Sequence, residues 1–122
     1  MEHLSPVELA AWLANAGRAQ DESGKPPEDL EQRRAPVLLD VREPWEFETC
    51  RIPGSQAMPM ASVPARQEEL DPEQAVVCIC HHGARSMQVA AFLERAGFSK
   101  VYNLTGGVHG WALQVDPSMP TY

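Results

Sequence analysis

Cys80 opens the run Cys80-His81-His82-Gly83-Ala84-Arg85-Ser86, directly after the apolar stretch Ala75-Val76-Val77-Cys78-Ile79. A continuous apolar run of that length is the pattern of a strand buried on both faces of a parallel sheet. A cysteine at the carboxyl end of such a strand, followed by a short glycine-containing loop and a helix, sits where backbone N–H groups converge on the positive end of a helix dipole. That setting favours a thiolate. The free thiol pKa of about 8.5 is expected to fall there, and Arg85 is expected to lower it further while attracting an anionic substrate. The competing reading, a small buried hydrophobe, is common for cysteine; the glycine loop and the arginine favour a reactive nucleophile.

Spacing separates two chemistries. Phosphatases and arsenate reductases that use a cysteine closed in by an arginine carry C-x5-R, a loop wide enough to wrap a tetrahedral oxyanion. Cys80 to Arg85 is C-x4-R, one residue tighter, and suits a single sulfur atom carried on the cysteine as a persulfide. The phosphatase or arsenate reductase becomes the runner-up, and a noncatalytic scaffold or relay module acting only with a protein partner is a third reading. His81 and His82 invite a metal reading with Cys78 and Cys80, but adjacent residues in a tight loop rarely face one ion, and no spaced second pair completes a four-ligand set. No metal and no cofactor is expected. Cys78 lies inside the strand and reads as core; Cys50 reads as incidental rather than as a second, resolving thiol.

The bulk numbers limit the alternatives. A chain of 122 residues, 43% hydrophobic, fits one domain with one core. The net charge of −7 and only ten scattered Lys and Arg disfavour a nucleic-acid partner. The N-terminal Met1-Glu2-His3-Leu4-Ser5-Pro6 lacks a basic leader, and no apolar run approaches the roughly 20 residues that span a bilayer. A soluble, cytoplasmic protein without membrane contact is expected. Three cysteines are too few and too odd for a disulfide framework.

The elements that must position Cys80 follow from pattern. Ser5-Pro6-Val7-Glu8 has the form of a capping box with proline at the first helical position, Leu4 and Leu9 form the staple, and Leu9, Trp12, Leu13 and Ala16 mark the buried stripe of a helix that Gly17 stops. Residues 18–36 turn polar, with Gly24-Lys25-Pro26-Pro27, and read as a solvated, mobile insertion. Val37 to Val41 predicts a buried strand, Pro44 to Glu48 a helical turn, Gln56 to Met58 a brief strand and Ser62 to Leu70 a helix. After the Cys80 loop, Val89, Phe92, Leu93 and Ala96 mark a helix closed by Gly97, and Val101 to Leu104 another strand. Strands alternating with helices argue for an open α/β sheet whose ligands lie beyond the carboxyl ends of the strands. Asp40 and Arg42 end a buried strand, where charges are costly unless paired, so a bracing ion pair is expected. Gly106 and Gly107 predict a tight turn before a helix carrying Trp111 into the core.

Leu39-Asp40-Val41-Arg42-Glu43, Glu46-Phe47-Glu48 with Ile52-Pro53-Gly54-Ser55, the loop from Cys80 to Ser86, and Asn103-Leu104-Thr105-Gly106-Gly107-Val108-His109-Gly110-Trp111 together resemble the rhodanese family, over about Leu4 to Trp111. Cys50-Arg51 stands where that family usually has Gly-His. The resemblance implies an α/β fold with an open, mainly parallel five-stranded sheet flanked by helices, in a single domain. It also implies that Cys80 takes sulfur from an anionic donor such as thiosulfate and passes it to cyanide or a thiol, with His81, His82, Gly83, Ala84, Arg85 and Ser86 as the binding loop and Asp40 and Arg42 in support. A sulfur-accepting protein is compatible with the same loop.

Overall fold

The computed structural model describes residues 1–16 and 34–122. Residues 18–33 of the expected insertion, and the Gly17 helix stop, lie outside the described residues. Strands β1 (Glu2–Leu4), β2 (Val37–Asp40), β3 (Gln56–Ala57), β4 (Val76–Ile79) and β5 (Val101–Leu104) form one sheet in the order β1-β5-β4-β2-β3. Every pairing is parallel. Strands β4 and β5 are buried at every position; β4 is apolar throughout, and β5 carries one polar residue, Asn103, into the interior.

Helices α1 (Pro6–Ala16), α2 (Pro44–Thr49), α3 (Val63–Arg66), α4 (Ala84–Arg95) and α5 (Gly107–Gln114) alternate with the strands. Period-two alternation sends neighbouring residues of β4 to opposite faces. Val77 and Ile79 pack with Leu9, Trp12 and Trp111 from α1 and α5. Val76, Cys78 and Cys80 pack instead with Val89, Ala90 and Leu93 from α4 and Val63 from α3. The middle of the sheet is thus covered on both sides, while its edge strands β1 and β3 are largely exposed.

The capping box at α1 forms as the sequence predicts: the Ser5 amide donates to Glu8 Oε1 (2.9 Å) and the Glu8 amide to Ser5 Oγ (3.1 Å). Two readings need correction, and one strand goes beyond the pattern. Glu2–Leu4, which residue patterns assign to no element, is a strand beside β5; its three residues are too few for periodicity to register, and its order comes from pairing with β5. The helix expected from Ser62 to Leu70 is broken into a 3₁₀ turn at Met60–Ser62, α3, and a second 3₁₀ turn at Gln67–Glu69. Pro64 fits only the first turn of a helix, and few apolar side chains there reach the core. Ala96, assigned to the buried stripe of α4, is exposed, while Ala90 is buried. The helix ends at Ala96 in a Schellman motif, with the Gly97 amide on Glu94 O (3.2 Å) and the Phe98 amide on Leu93 O (3.1 Å), so Phe98 rather than Ala96 covers that part of the core.

One contact between elements sets the position of the loop after β4. The first-turn amides of α5 bind its carbonyls, Val108 N–H to Cys80 O (2.9 Å) and His109 N–H to His81 O (3.1 Å). The approach is close enough that a Cβ on Gly107, where φ is +59°, would lie 2.2 Å from Cys80 O and 2.4 Å from His81 O. Gly107→Ala is therefore expected to cost at least about 2 kcal/mol, combining left-handed strain with a backbone clash. Urea unfolding reads this; an unchanged midpoint would refute the close packing of α5 on the loop.

Candidate functional site

Cys80 ends β4 with 1% of its surface exposed, and its Sγ accepts the Gly83 amide at 3.0 Å. Gly83 caps α4 with φ +109°, a left-handed conformation that turns the chain from strand end into helix within three residues. The peptide is planar and trans, so C=O and N–H point opposite ways. Binding Cys80 O and His81 O to α5 therefore turns the His81 and His82 amides away from α5. The amides of Ala84, Arg85 and Ser86 lie in the first turn of α4, where no intrahelical acceptor exists. The residues expected as a loop are thus a loop only to Gly83, with Arg85 and Ser86 already helical.

Ser86 is fully buried, and its hydroxyl lies 3.3 Å from Cys80 Sγ, 3.2 Å from Gly83 O and closer still to Asn103 Oδ1. A hydroxyl has one proton to give. With Asn103 accepting it the sulfur receives only the Gly83 amide; rotation would move the proton to Sγ. Asn103, on β5, was not singled out in the sequence beyond its place in the closing motif.

Arg85 pairs with Glu46 in a two-pronged ion pair, Nη1 to Oε1 at 2.7 Å and Nη2 to Oε2 at 2.8 Å, and its side chain is one-third exposed. Glu46 chiefly holds the guanidinium above its ordinary pKa, against desolvation, and the charge of Cys80 adds to the effect. Arg85 therefore pins the first turn of α4 to α2. Glu46 is the functional carboxylate that residue patterns did not assign. The available signal was a glutamate on the inward side of a short helix, with the cation before it in sequence, Arg42, already matched to Asp40. Arg85 hydrogen bonding pulls the Glu46 carboxyl down to about 2 from its ordinary 4.5, with Tyr122 and the Glu43 amide helping against desolvation.

Asp40 and Arg42 do not enter the loop. Both are buried, with Arg42 Nε on Asp40 Oδ1 (2.9 Å) and Nη2 on Oδ2 (2.7 Å). The remaining Arg42 donors reach Cys50 O (2.6 Å), Glu46 O (3.2 Å) and the Tyr122 hydroxyl (2.8 Å). Burial works against the Arg42 charge; Asp40 and Tyr122 outweigh it and hold the guanidinium above its ordinary pKa. Cys50 supplies a carbonyl to this brace, and its side chain packs on the α1 and α5 face, opposite the face holding Cys78 and Cys80. All three cysteines are free thiols.

His81 and His82 stack at 4.0 Å between ring centres, and His109 from α5 lies 5.0 Å from His82 and 5.9 Å from His81. Burial lowers the His81 pKa, and His82 lowers it further, against the pull of Glu46. His81 Nε2 and His109 Nδ1 are buried without hydrogen-bond partners. Among the described residues no group of three or more His, Cys, Asp or Glu side chains has the geometry to hold a metal ion, and no helix is long and apolar enough to cross a membrane.

The family model of the rhodanese-like domain matches residues 26–114. The chain belongs to the rhodanese-like family. This rhodanese-like domain is 45% identical over 89 residues to the rhodanese-like/PpiC domain-containing protein 12, chloroplastic, of Arabidopsis thaliana, covering 70% of this chain and 30% of that protein. The chain thus spans under a third of that relative's length. It is 39% identical over 88 residues to the thiosulfate sulfurtransferase GlpE of Pseudomonas syringae pv. syringae, covering 70% of this chain and 83% of that one. The crystal structure of a rhodanese-like domain protein from Staphylococcus aureus shares the fold with a TM-score of 0.72 at 24% identity, covering 100% and 99% of the two chains.

Two outcomes follow for the charged frame of this rhodanese-like domain. Asp40→Ala leaves the Arg42 charge buried without its carboxylate and is expected to cost about 3–5 kcal/mol in urea unfolding; a cost under about 1 kcal/mol would show the pair contributes little. Glu46 has a depressed folded pKa, so its contribution is present above pH 4.5 and is lost as pH falls through about 2. The stability gap between wild type and Glu46→Gln should shrink across that window, and a gap independent of pH would contradict the assigned role.

Proposed function

We propose that this domain is a sulfurtransferase in which Cys80 carries sulfur as a persulfide between an anionic donor such as thiosulfate and a nucleophilic acceptor. The observation that carries the reading is the Gly83 amide on Cys80 Sγ, at the entrance of α4. The reading is supported by family membership and by the resemblance to a relative named as a thiosulfate sulfurtransferase.

The Cys80 thiolate attacks the outer sulfur of thiosulfate; a Cys80 S–S bond forms, the S–S bond of thiosulfate breaks, and sulfite leaves with the bonding pair. One negative charge then resides on the terminal persulfide sulfur, where amides at the head of α4 stabilise it without side-chain movement. Each such preorganised donor is worth about 3 kcal/mol in comparable oxyanion sites. Cyanide or a thiolate next attacks the terminal sulfur, takes it, and returns the thiolate. The Arg85 charge adds to the local field, and most of it is committed to Glu46. Ser86 can turn its proton from Asn103 toward sulfur as charge builds there. A relay that delivers sulfur only to a protein partner would use the same loading step.

Purified protein given thiosulfate and cyanide should produce thiocyanate, and Cys80→Ser should abolish it. Mass spectrometry after thiosulfate alone should show one added sulfur on Cys80. Loading without turnover would favour a protein acceptor, whereas aryl phosphate hydrolysis lost in Cys80→Ser would replace the reading with a phosphatase.

A further inference from the structure

After α5 the chain does not leave the molecule. Asp116 starts a turn, with its Oδ1 accepting the Ser118 amide (3.1 Å) and its carbonyl the Met119 amide (3.1 Å). Met119 then buries against the cluster that contains Trp12 and Trp111. This anchor brings Tyr122, outside the stretch matched by the family model, back over the residues that follow Cys80. Its ring stacks on His81 at 4.0 Å with 12° between planes, and Trp45 meets its other side edge-on at 5.5 Å. The His81 ring thus lies between Tyr122 and His82.

The phenol is equally constrained. Arg42 Nη1 donates to its oxygen at 2.8 Å, and the hydroxyl proton goes to Glu46 Oε2 at 2.6 Å, on the carboxylate that receives Arg85. Arg42 has no acceptor to offer, so the hydroxyl proton is free to point only toward Glu46. Tyr122 thereby joins the buried brace of Asp40 and Arg42 to the ion pair at the head of α4. It also contacts both the backbone-anchored loop residue His81 and the partner of Arg85.

We propose that Tyr122 is a positioning residue for the Cys80 loop: its ring holds His81, and its hydroxyl orients the Glu46 carboxylate that receives Arg85. The proposal rests on the sulfurtransferase reading for its kinetic consequence, not for its geometry. Burial pushes the phenol pKa up to about 12, so the hydroxyl is protonated at neutral pH and can fill this role.

The test compares full-length wild type, Tyr122→Phe and Tyr122→Leu by thiosulfate and cyanide kinetics, thermal unfolding, and NMR of the His81 imidazole protons. Tyr122→Phe keeps the stack and loses the hydroxyl; kcat should stay within about twofold of wild type, with KM for thiosulfate about fivefold higher, the effect of one lost hydrogen bond. Tyr122→Leu loses both, and kcat should fall about tenfold as well, with Phe the conservative rescue. Wild-type kcat and KM in Tyr122→Leu, or equal losses in both variants that follow their loss of thermal stability, would overturn the proposal. Should wild type transfer no sulfur, the sulfurtransferase reading fails, and the NMR decides positioning alone. An upfield ring-current displacement of His81 that persists in Tyr122→Phe and vanishes in Tyr122→Leu supports it, and one unchanged in Tyr122→Leu overturns it.

Discussion

A strand that ends in a nucleophile must dispose of its last carbonyls before its amides can face a ligand. Every buried backbone group needs a partner, and peptide planarity ties each carbonyl to an amide that points the other way. Here the carbonyls of Cys80 and His81 are taken by two first-turn amides of α5, Val108 and His109. That bond pattern makes α5 part of the site although it supplies no reacting group. It also explains the second glycine before Val108: the two segments touch backbone to backbone at Gly107, where any side chain would strike Cys80 O. The loop after β4 is therefore defined by two helix entrances meeting, α4 in front of the sulfur and α5 behind the carbonyls.

Charge is handled in two layers. The inner layer, Asp40 with Arg42, is fully buried and is satisfied at nearly every donor: carboxylate, two carbonyls and a phenol. Such pairs are weak evidence for stability, because desolvation consumes much of their attraction. What this one accomplishes is geometric, since it ties the end of β2 to the residues closing α2. The outer layer, Glu46 with Arg85, reaches solvent through the one-third exposed Arg85 and carries the constraint from α2 to α4. Glu46 serves both layers at once, through its carbonyl to Arg42 and its carboxylate to Arg85.

The central strands, the first helix with its capping box, the place of Cys80 between a strand end and a helix entrance, and the buried Asp40–Arg42 brace were legible in sequence because each rests on local rules. An apolar run, a Ser-x-x-Glu spacing and a charge at a strand end carry their physical reasons within a few residues. What stayed hidden depends on partners distant in the chain. Glu2–Leu4 is a strand because β5 offers it an edge. Glu46 meets Arg85 across 39 residues, and Tyr122 meets Arg42 across 80. Ala96 missed its face for a local reason of a different kind: the helical period continues on paper, while the Schellman turn ends the helix and hands the apolar contact to Phe98.

The three cysteines show how little residue type decides. Cys78 on β4 and Cys80 just past its end are two residues apart, share a face of the sheet, and are almost equally shielded from water. Burial, with the charge of Cys80 adding to it, pushes the Cys78 thiol up to about 12, so near neutral pH it stays a protonated hydrophobe. Cys80 is no more exposed, and what distinguishes it is the Gly83 amide on its sulfur, which Cys78, hemmed in by side chains of α4, does not receive. Desolvation without a donor makes a thiol inert; desolvation with an oriented amide makes a place for a sulfur anion. The end of the strand is where the chain can supply that donor, because beyond Ile79 the ladder no longer claims every amide.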